Sequence, residues 1–257
     1  MGSTDGGEDR VEEVEILYEL IKDTHLLTPV VLIGASALIP VPFLDDITKV
    51  YLEKYLFARV AEREGLELTK DERYHLTQEK NSGGCCALGC LGSAALYPIK
   101  RLLRKVFFFL EIKRSVDQAT IALAQAYLFK LALQRDLWAP GQDLDQAHCL
   151  RRATRAACQN HGVKPLETAI RHGFEGAKGT FSEFAAKFVK KSGSDEKEMA
   201  QAVDALELEE SEQLAGLTRS LSDSLGEVSD SYIERFAEVF EQQLALEKAK
   251  PVEPTES

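Results

Sequence analysis

The sequence predicts an all-α protein: a multi-helix bundle in which two short apolar helices, rich in small residues and proline, form a central or membrane-inserted hairpin. Three observations predict it. Apolar residues recur three and four positions apart in one window after another, the spacing of a helix with one buried face. No segment shows strand alternation, and no hairpin dipeptide joins two alternating runs. Gly and Pro fall between the periodic windows, where helices start and stop. With 257 residues, 44% of them hydrophobic, the chain can bury a core, while 17 Gly, 8 Pro and 5 Cys exclude a collagen, a disulfide scaffold or wholesale disorder.

Residues 1–9 read as a flexible polar lead. From Arg10 to His25 the apolar set Val11, Val14, Ile16, Leu17, Leu20 and Ile21 keeps helical spacing. Leu26–Leu44 then runs without a charge. Asp45 and Asp46 open the next helix, which Gly65 ends. Their carboxylates suit the free N–H groups and positive end of that helix, so they are read as its cap. Thr69–Lys80 is a shorter helix and Asn81–Gly84 a turn. Ser82–Ile99 is a second uncharged run, leading into a basic helix through Arg114 and an apolar one over Val116–Trp138. Ala139-Pro140-Gly141 breaks the chain. Helices follow over Asp143–Gln159 and Pro165–Lys191, then over Glu196–Leu217 and Ser231–Lys248. The resulting parts are an apolar helical core (10–138), basic amphipathic helices (141–191), an acidic helical arm (194–248) and a disordered tail (249–257).

The two uncharged runs share a pattern. Gly34-Ala35-Ser36-Ala37-Leu38-Ile39-Pro40 matches Gly92-Ser93-Ala94-Ala95-Leu96-Tyr97-Pro98 at an offset of 58, and the offset also pairs Leu44 with Leu102 and Leu52 with Leu110. Such copies pack as a pseudo-symmetric pair because small residues let helix backbones approach closely. Coincidence between two apolar helices is the competing reading.

Neither run is a simple membrane span. A spanning helix needs about 20 apolar residues. Pro29, Pro40 and Pro42 leave about ten continuous ones in the first run, about 15 Å of helix. The second is thin in hydrophobicity. A pair of short helices inserts as a hairpin or fills the centre of a soluble bundle. Insertion requires an outward belt of Val31, Leu32, Leu38, Leu88, Leu91 and Leu96; a closed core requires the same residues inside.

Charge allows a surface role, with a solvated face of a helical protein as the competing reading. Residues 82–193 carry 17 basic and 8 acidic residues, a net of +9, between an acidic beginning and an acidic end. Lys100, Arg101, Arg104 and Lys105 beside Phe107 and Phe108 make the mixture of a helix lying at an anionic interface. Lys178, Lys187 and Lys190 decorate a second amphipathic helix, whose Ile170, Phe174, Ala177, Phe181, Phe184, Ala185 and Phe188 fall on one arc. That arc faces the chain's own core, or a lipid or partner surface. No nucleic-acid motif accompanies the cations, so nucleic acid is not expected as a partner. The first 25 residues hold neither a basic n-region nor an apolar h-region, so no secretory leader is read there. An odd number of cysteines then points to a reducing compartment.

Sites for chemistry are sparse. The sequence holds no GxxxxGK[ST], HExxH, GxSxG or CxxC pattern. Cys85, Cys86 and Cys90 lie in the second apolar run, where packing or acylation of a membrane-adjacent thiol are the readings. His148, Cys149, Cys158 and His161 form the one mixed His/Cys group, but they do not converge as zinc ligands must. No catalytic residue, metal or cofactor is therefore expected.

The string Ala37-Leu38-Ile39-Pro40-Val41-Pro42-Phe43-Leu44-Asp45-Asp46-Ile47, followed by a helix ending in Arg63-Glu64-Gly65, resembles a bacterial family. Its members are small-residue-rich helical membrane domains fused to, or encoded beside, Era-like GTPases. The similarity covers about residues 30–65, with an echo at 92–114 that lacks the second Pro and the Asp. The resemblance implies a helical membrane-proximal module, no known chemistry, and a GTPase as a possible protein partner. The sequence thus predicts a non-enzymatic module at the cytoplasmic face of a membrane, scaffolding or regulating a partner. The alternative is a soluble, cytoplasmic all-α adaptor with both apolar runs in its core. The acidic arm has too much self-repulsion to stand alone. It is expected to fold back on residues 82–193 and mask them.

Overall fold

Asp23 divides the first helical stretch, because its side chain accepts from the backbone N–H of His25 at 2.9 Å and starts a new helix there. The computed structural model describes residues 8–37, 44–77, 104–191, 196–209 and 211–250. They form eleven helices and no strand, an all-α fold. In chain order these are α1 (Glu8–Lys22), α2 (Thr24–Ser36), α3 (Leu44–Arg63), α4 (Lys70–Thr77), α5 (Arg104–Gln134), α6 (Leu144–His161), α7 (Lys164–Gly176), α8 (Lys178–Lys191), α9 (Glu196–Glu209), α10 (Ser211–Leu225) and α11 (Asp230–Ala249).

Several boundaries differ from the expected ones. Pro29 lies inside α2 without ending it. The basic and apolar helices expected around Ser115 are one 31-residue helix, α5, since no Gly or Pro interrupts Arg104–Gln134. The single helix expected over Pro165–Lys191 is two, broken at Ala177. Gly173, Gly176 and Gly179 weaken helicity there, by about 1 kcal/mol each relative to Ala. Phe174 and Phe181 stack across the break, ring centres 4.3 Å apart. Thr69 and Glu72 make a reciprocal capping box at the start of α4. The Thr69 N–H donates to Glu72 Oε2 at 2.7 Å, and the Glu72 N–H to Thr69 Oγ1 at 3.2 Å.

The core is organised around α5, whose Val116–Leu133 stretch is almost wholly buried. α2 lies against both α3 and α5, α6 against α4 and α11, and α7 against α10. α1 closes the assembly by touching α10 and α11. Arg135 ties these ends together, with Nη2 2.9 Å from Glu13 Oε1 and Nη1 2.5 Å from Glu241 Oε1. Helices from all three expected parts therefore share one continuous core.

Two close crossings set its geometry. Gly34 of α2 approaches α5 so nearly that an added Cβ would meet the Ser115 carbonyl oxygen at 3.0 Å and the Ala119 Cβ at 3.1 Å. The small residues of the first apolar run thus admit α5. The expected partner, residues 92–98, lies outside the described residues. At Gly173 an added Cβ would meet Leu221 Cδ2 at 2.7 Å and its Cα at 3.0 Å, which lets α7 sit on α10.

The acidic segment as a whole is not a detachable mask. Val203, Leu206, Leu214, Leu217, Leu221 and Leu225 are all buried in the common core. Its intermittent apolar positions are the inner faces of α9 and α10, and removing both helices together would strip the core rather than uncover a finished surface.

Candidate functional site

Along α3, Tyr51, Tyr55, Arg59 and Glu62 recur at helical spacing and so form one stripe. The capping box fixes α4 beside it and brings in Arg73. α9 crosses α3 and supplies Ala200 and Val203. Between these three helices lies a cleft of about 210 Å³, lined by Tyr51, Tyr55, Arg59, Glu62, Arg73 and Val203 among others.

One wall of the cleft is a hydrogen-bonded cluster. The Tyr55 hydroxyl donates to Asp204 Oδ1 at 2.9 Å and accepts from Arg59 Nε at 2.9 Å. Arg59 Nη2 reaches the same Asp204 oxygen at 3.0 Å. Burial pushes the Tyr55 phenol well above its ordinary value, and the hydrogen bond to Asp204 adds to this, against the opposing pull of Arg59. The phenol therefore stays a donor across the physiological range. Farther along α9, Glu207 Oε2 lies 2.9 Å from His25 Nδ1, while its Oε1 is buried without a partner. Arg63 holds Asp23 at 2.8 Å, fixing the start of α2 against α3. On the outer lip, the Lys54 ammonium lies 5.7 Å from the Tyr51 ring centre and 5.5 Å from that of Tyr74. Aromatic faces attract cations at such distances. The outcome is a phenol-rich cleft of mixed charge, in which Arg59 and Arg73 stand beside Glu62 and Arg59 is held by Asp204.

The residues singled out by sequence fall elsewhere. Val31 and Leu32, read as membrane-facing, are 0% exposed. They are corrected to core positions, because α2 packs between α3 and α5 and every residue from Leu26 to Ala37 is buried. Leu38, Leu88, Leu91 and Leu96 lie outside the described residues, as do Lys100, Arg101 and the thiols of Cys85, Cys86 and Cys90. Arg104, Lys105, Phe107 and Phe108 belong to the first two turns of α5. Lys178 begins α8 and Lys190 is its penultimate residue, with Lys187 half-buried between them. The aromatic arc of α7 and α8 is inside: Ile170, Phe174, Phe181, Phe184 and Phe188 are all buried. Its apolar face serves the chain's own core. Asp45 and Asp46 lie within the first turn of α3, which starts at Leu44.

The His/Cys group is dispersed along α6. His148 faces His75 of α4, with His148 Nε2 2.5 Å from His75 Nδ1. Cys149 Sγ approaches the Glu247 carbonyl, and His161 stacks on Tyr232 at the far end of the helix. The two ring nitrogens lie within hydrogen-bond distance, one ring donating and the other accepting. Among the described residues no group of three or more His, Cys, Asp or Glu could hold a metal ion, and no helix is long and apolar enough to cross a membrane.

The cleft itself was missed by sequence reasoning. The Tyr51–Tyr55–Arg59 stripe was visible, but Asp204 lies 149 residues from Tyr55, and no local pattern joins them. Comparison of the chain with protein-family models, with curated proteins and with solved structures finds no match.

Proposed function

We propose that this chain is a non-enzymatic adaptor module that docks a partner protein in the cleft between α3, α4 and α9. One observation carries the reading: Tyr51, Tyr55, Arg59 and Arg73 line a solvent-accessible hollow on α3 and α4. Its 210 Å³ falls below the roughly 300–1,000 Å³ of small-molecule pockets and suits one or two side chains of a docked segment. Burial of Leu26–Ala37 supports the same reading, since an adaptor with its apolar run inside needs those residues in the core.

Selection of displayed peptides on the purified full chain tests it. Selected peptides are expected to lose at least tenfold in affinity on Tyr51→Ala or Arg73→Ala chains that keep the native circular dichroism. Peptides indifferent to both substitutions would defeat the reading. The resemblance of residues 30–65 makes a GTPase the first whole protein to try in the same assay. The +9 balance of residues 82–193 favours a second reading, peripheral contact with an anionic membrane face. It requires co-sedimentation with phosphatidylserine vesicles that fades as salt rises.

A further inference from the structure

α9 occupies its site as a ligand would. Its inward side buries Ala202, Val203 and Leu206. Asp204 and Glu207, three residues apart and so neighbours on one helix face, reach Tyr55 and Arg59 on one side and His25 on the other. Lys191 clasps Glu209 at its end. The two following helices are held more deeply. α10 buries Leu214, Leu217, Leu221 and Leu225, and α11 buries Ile233, Phe236, Ala237, Phe240 and Leu244. Three buried apolar side chains and polar contacts with half-exposed partners fix α9, whose 14 residues are marginal as an isolated helix. One of those contacts is incomplete, because Glu207 Oε1 is buried unpaired.

We propose that α9 is a displaceable resident of this surface. The partner that competes with it is an acidic amphipathic helix bearing two carboxylates three residues apart. This deepens the docking role assigned to the cleft above and rests on it. An incoming helix of that type reproduces both anchor points, one carboxylate on Tyr55 and Arg59, the next on His25. Its small apolar side replaces Val203 and Leu206. Charge complementarity selects it, since departure of α9 takes Asp204 from Arg59 and Tyr55 and offers that guanidinium and phenol to an incoming carboxylate. Tethering gives α9 an effective concentration in the millimolar range, so the native chain binds such helices weakly until the clasp is loosened.

The probe is a fluorescent peptide of residues 196–209, titrated into the full chain. The Asp204→Ala/Glu207→Ala chain is expected to bind it at least tenfold more tightly than the native chain. Adding Arg59→Ala to that variant is expected to reverse the gain. A peptide with Asn and Gln in place of the two carboxylates is expected to lose it as well. Equal binding by native and loosened chains, or indifference to Arg59→Ala, overturns the proposal. Hydrogen exchange on the native chain supplies a reading that needs no variant. Amides of α9 are expected to exchange at least tenfold faster than those of α10 and α11, and equal protection overturns displacement. If peptides selected on the native chain still depend on Tyr51 and Arg73 while the α9 peptide fails, displacement falls and the docking site stands.

Discussion

His75 Nδ1 and His148 Nε2 lie 2.5 Å apart, with the two rings crossed at 83°. This bond pins the eight-residue α4 to α6, and with it the Arg73 wall of the cleft. One ring must donate and the other accept, so the pair cannot be doubly protonated and remain bonded. Each of His75→Ala and His148→Ala is expected to cost about 1 kcal/mol. Urea melts of the two single variants and the double variant check it: a coupling of about 0.5–1.5 kcal/mol is expected, and strictly additive losses would show that the rings do not cooperate.

Gly173 and Gly179 should respond oppositely to alanine. At Gly173 the new methyl meets Leu221 at 2.7 Å, forcing α7 from α10 at a cost of about 1–3 kcal/mol. At Gly179 an added Cβ meets nothing within 4 Å, so alanine raises stability by about 0.5–1 kcal/mol through helix propensity. Thermal melts separate the two, since 1 kcal/mol moves Tm by about 2–4 °C in a chain of this size.

Glu72 gives stability a definite acid dependence. Burial acts to raise its pKa, but the backbone N–H groups of Gly141 and Thr69 and the Thr69 hydroxyl outweigh it and hold the carboxyl below its ordinary 4.5. A lowered folded value means the group stabilises above pH 4.5 and loses that contribution as pH falls through the folded value. Glu72→Gln should therefore be less stable than the native chain at pH 7. The gap should narrow as pH falls below 4.5. Denaturant melts at pH 7, 5 and 3.5 test it, and a gap as wide at pH 3.5 as at pH 7 contradicts the assignment.

Cys158 should be chemically silent. Burial pushes its thiol up to about 12, and the thiolate is the reacting form. At pH 8 on the native chain, iodoacetamide mapped by mass spectrometry should label half-buried Cys149 well before Cys158. Early labelling of Cys158 would mean that α6 opens locally.

Glu53 carries the opposite sign from Glu72. Burial raises its pKa, against the lowering effect of Lys49, whose Nζ lies 3.6 Å away, and of Arg151. A raised acid favours the protonated folded state, so its ionised form opposes folding at neutral pH and the effect vanishes below pH 4.5. Glu53→Gln is expected to raise Tm at pH 7 and to leave it unchanged at pH 4. A fall at pH 7 would mean that the pairing with Lys49 outweighs desolvation.

Much of the fold was legible locally. The 3.6-residue recurrence of Leu17, Leu20 and Ile21, the arc from Ile170 to Phe188, and the Gly65 and Gly162 stops report short-range geometry, because a helix places residues three and four apart on one face. Helix breaks were less legible. Pro29 was expected to limit its run, yet α2 continues through it, and Ala177 was expected to sit within one helix, yet it separates two. At Pro29 neighbouring packing outweighs intrinsic propensity, whereas at Ala177 the flanking glycines let the helix break.

The sequence by itself determined that the protein is helical, which residues are apolar enough to be inside, and that its charge is segregated. These follow from periodicity and composition. Only the tertiary structure decided what each apolar face meets. Val31 and Leu32 carry the same hydrophobicity whether lipid or α5 lies outside them, and packing put α5 there. The meeting of Tyr55 with Asp204, and of Glu13 with Arg135 and Glu241, joins positions more than a hundred residues apart. No spacing rule reaches that far, because such contacts are fixed by how whole helices stack.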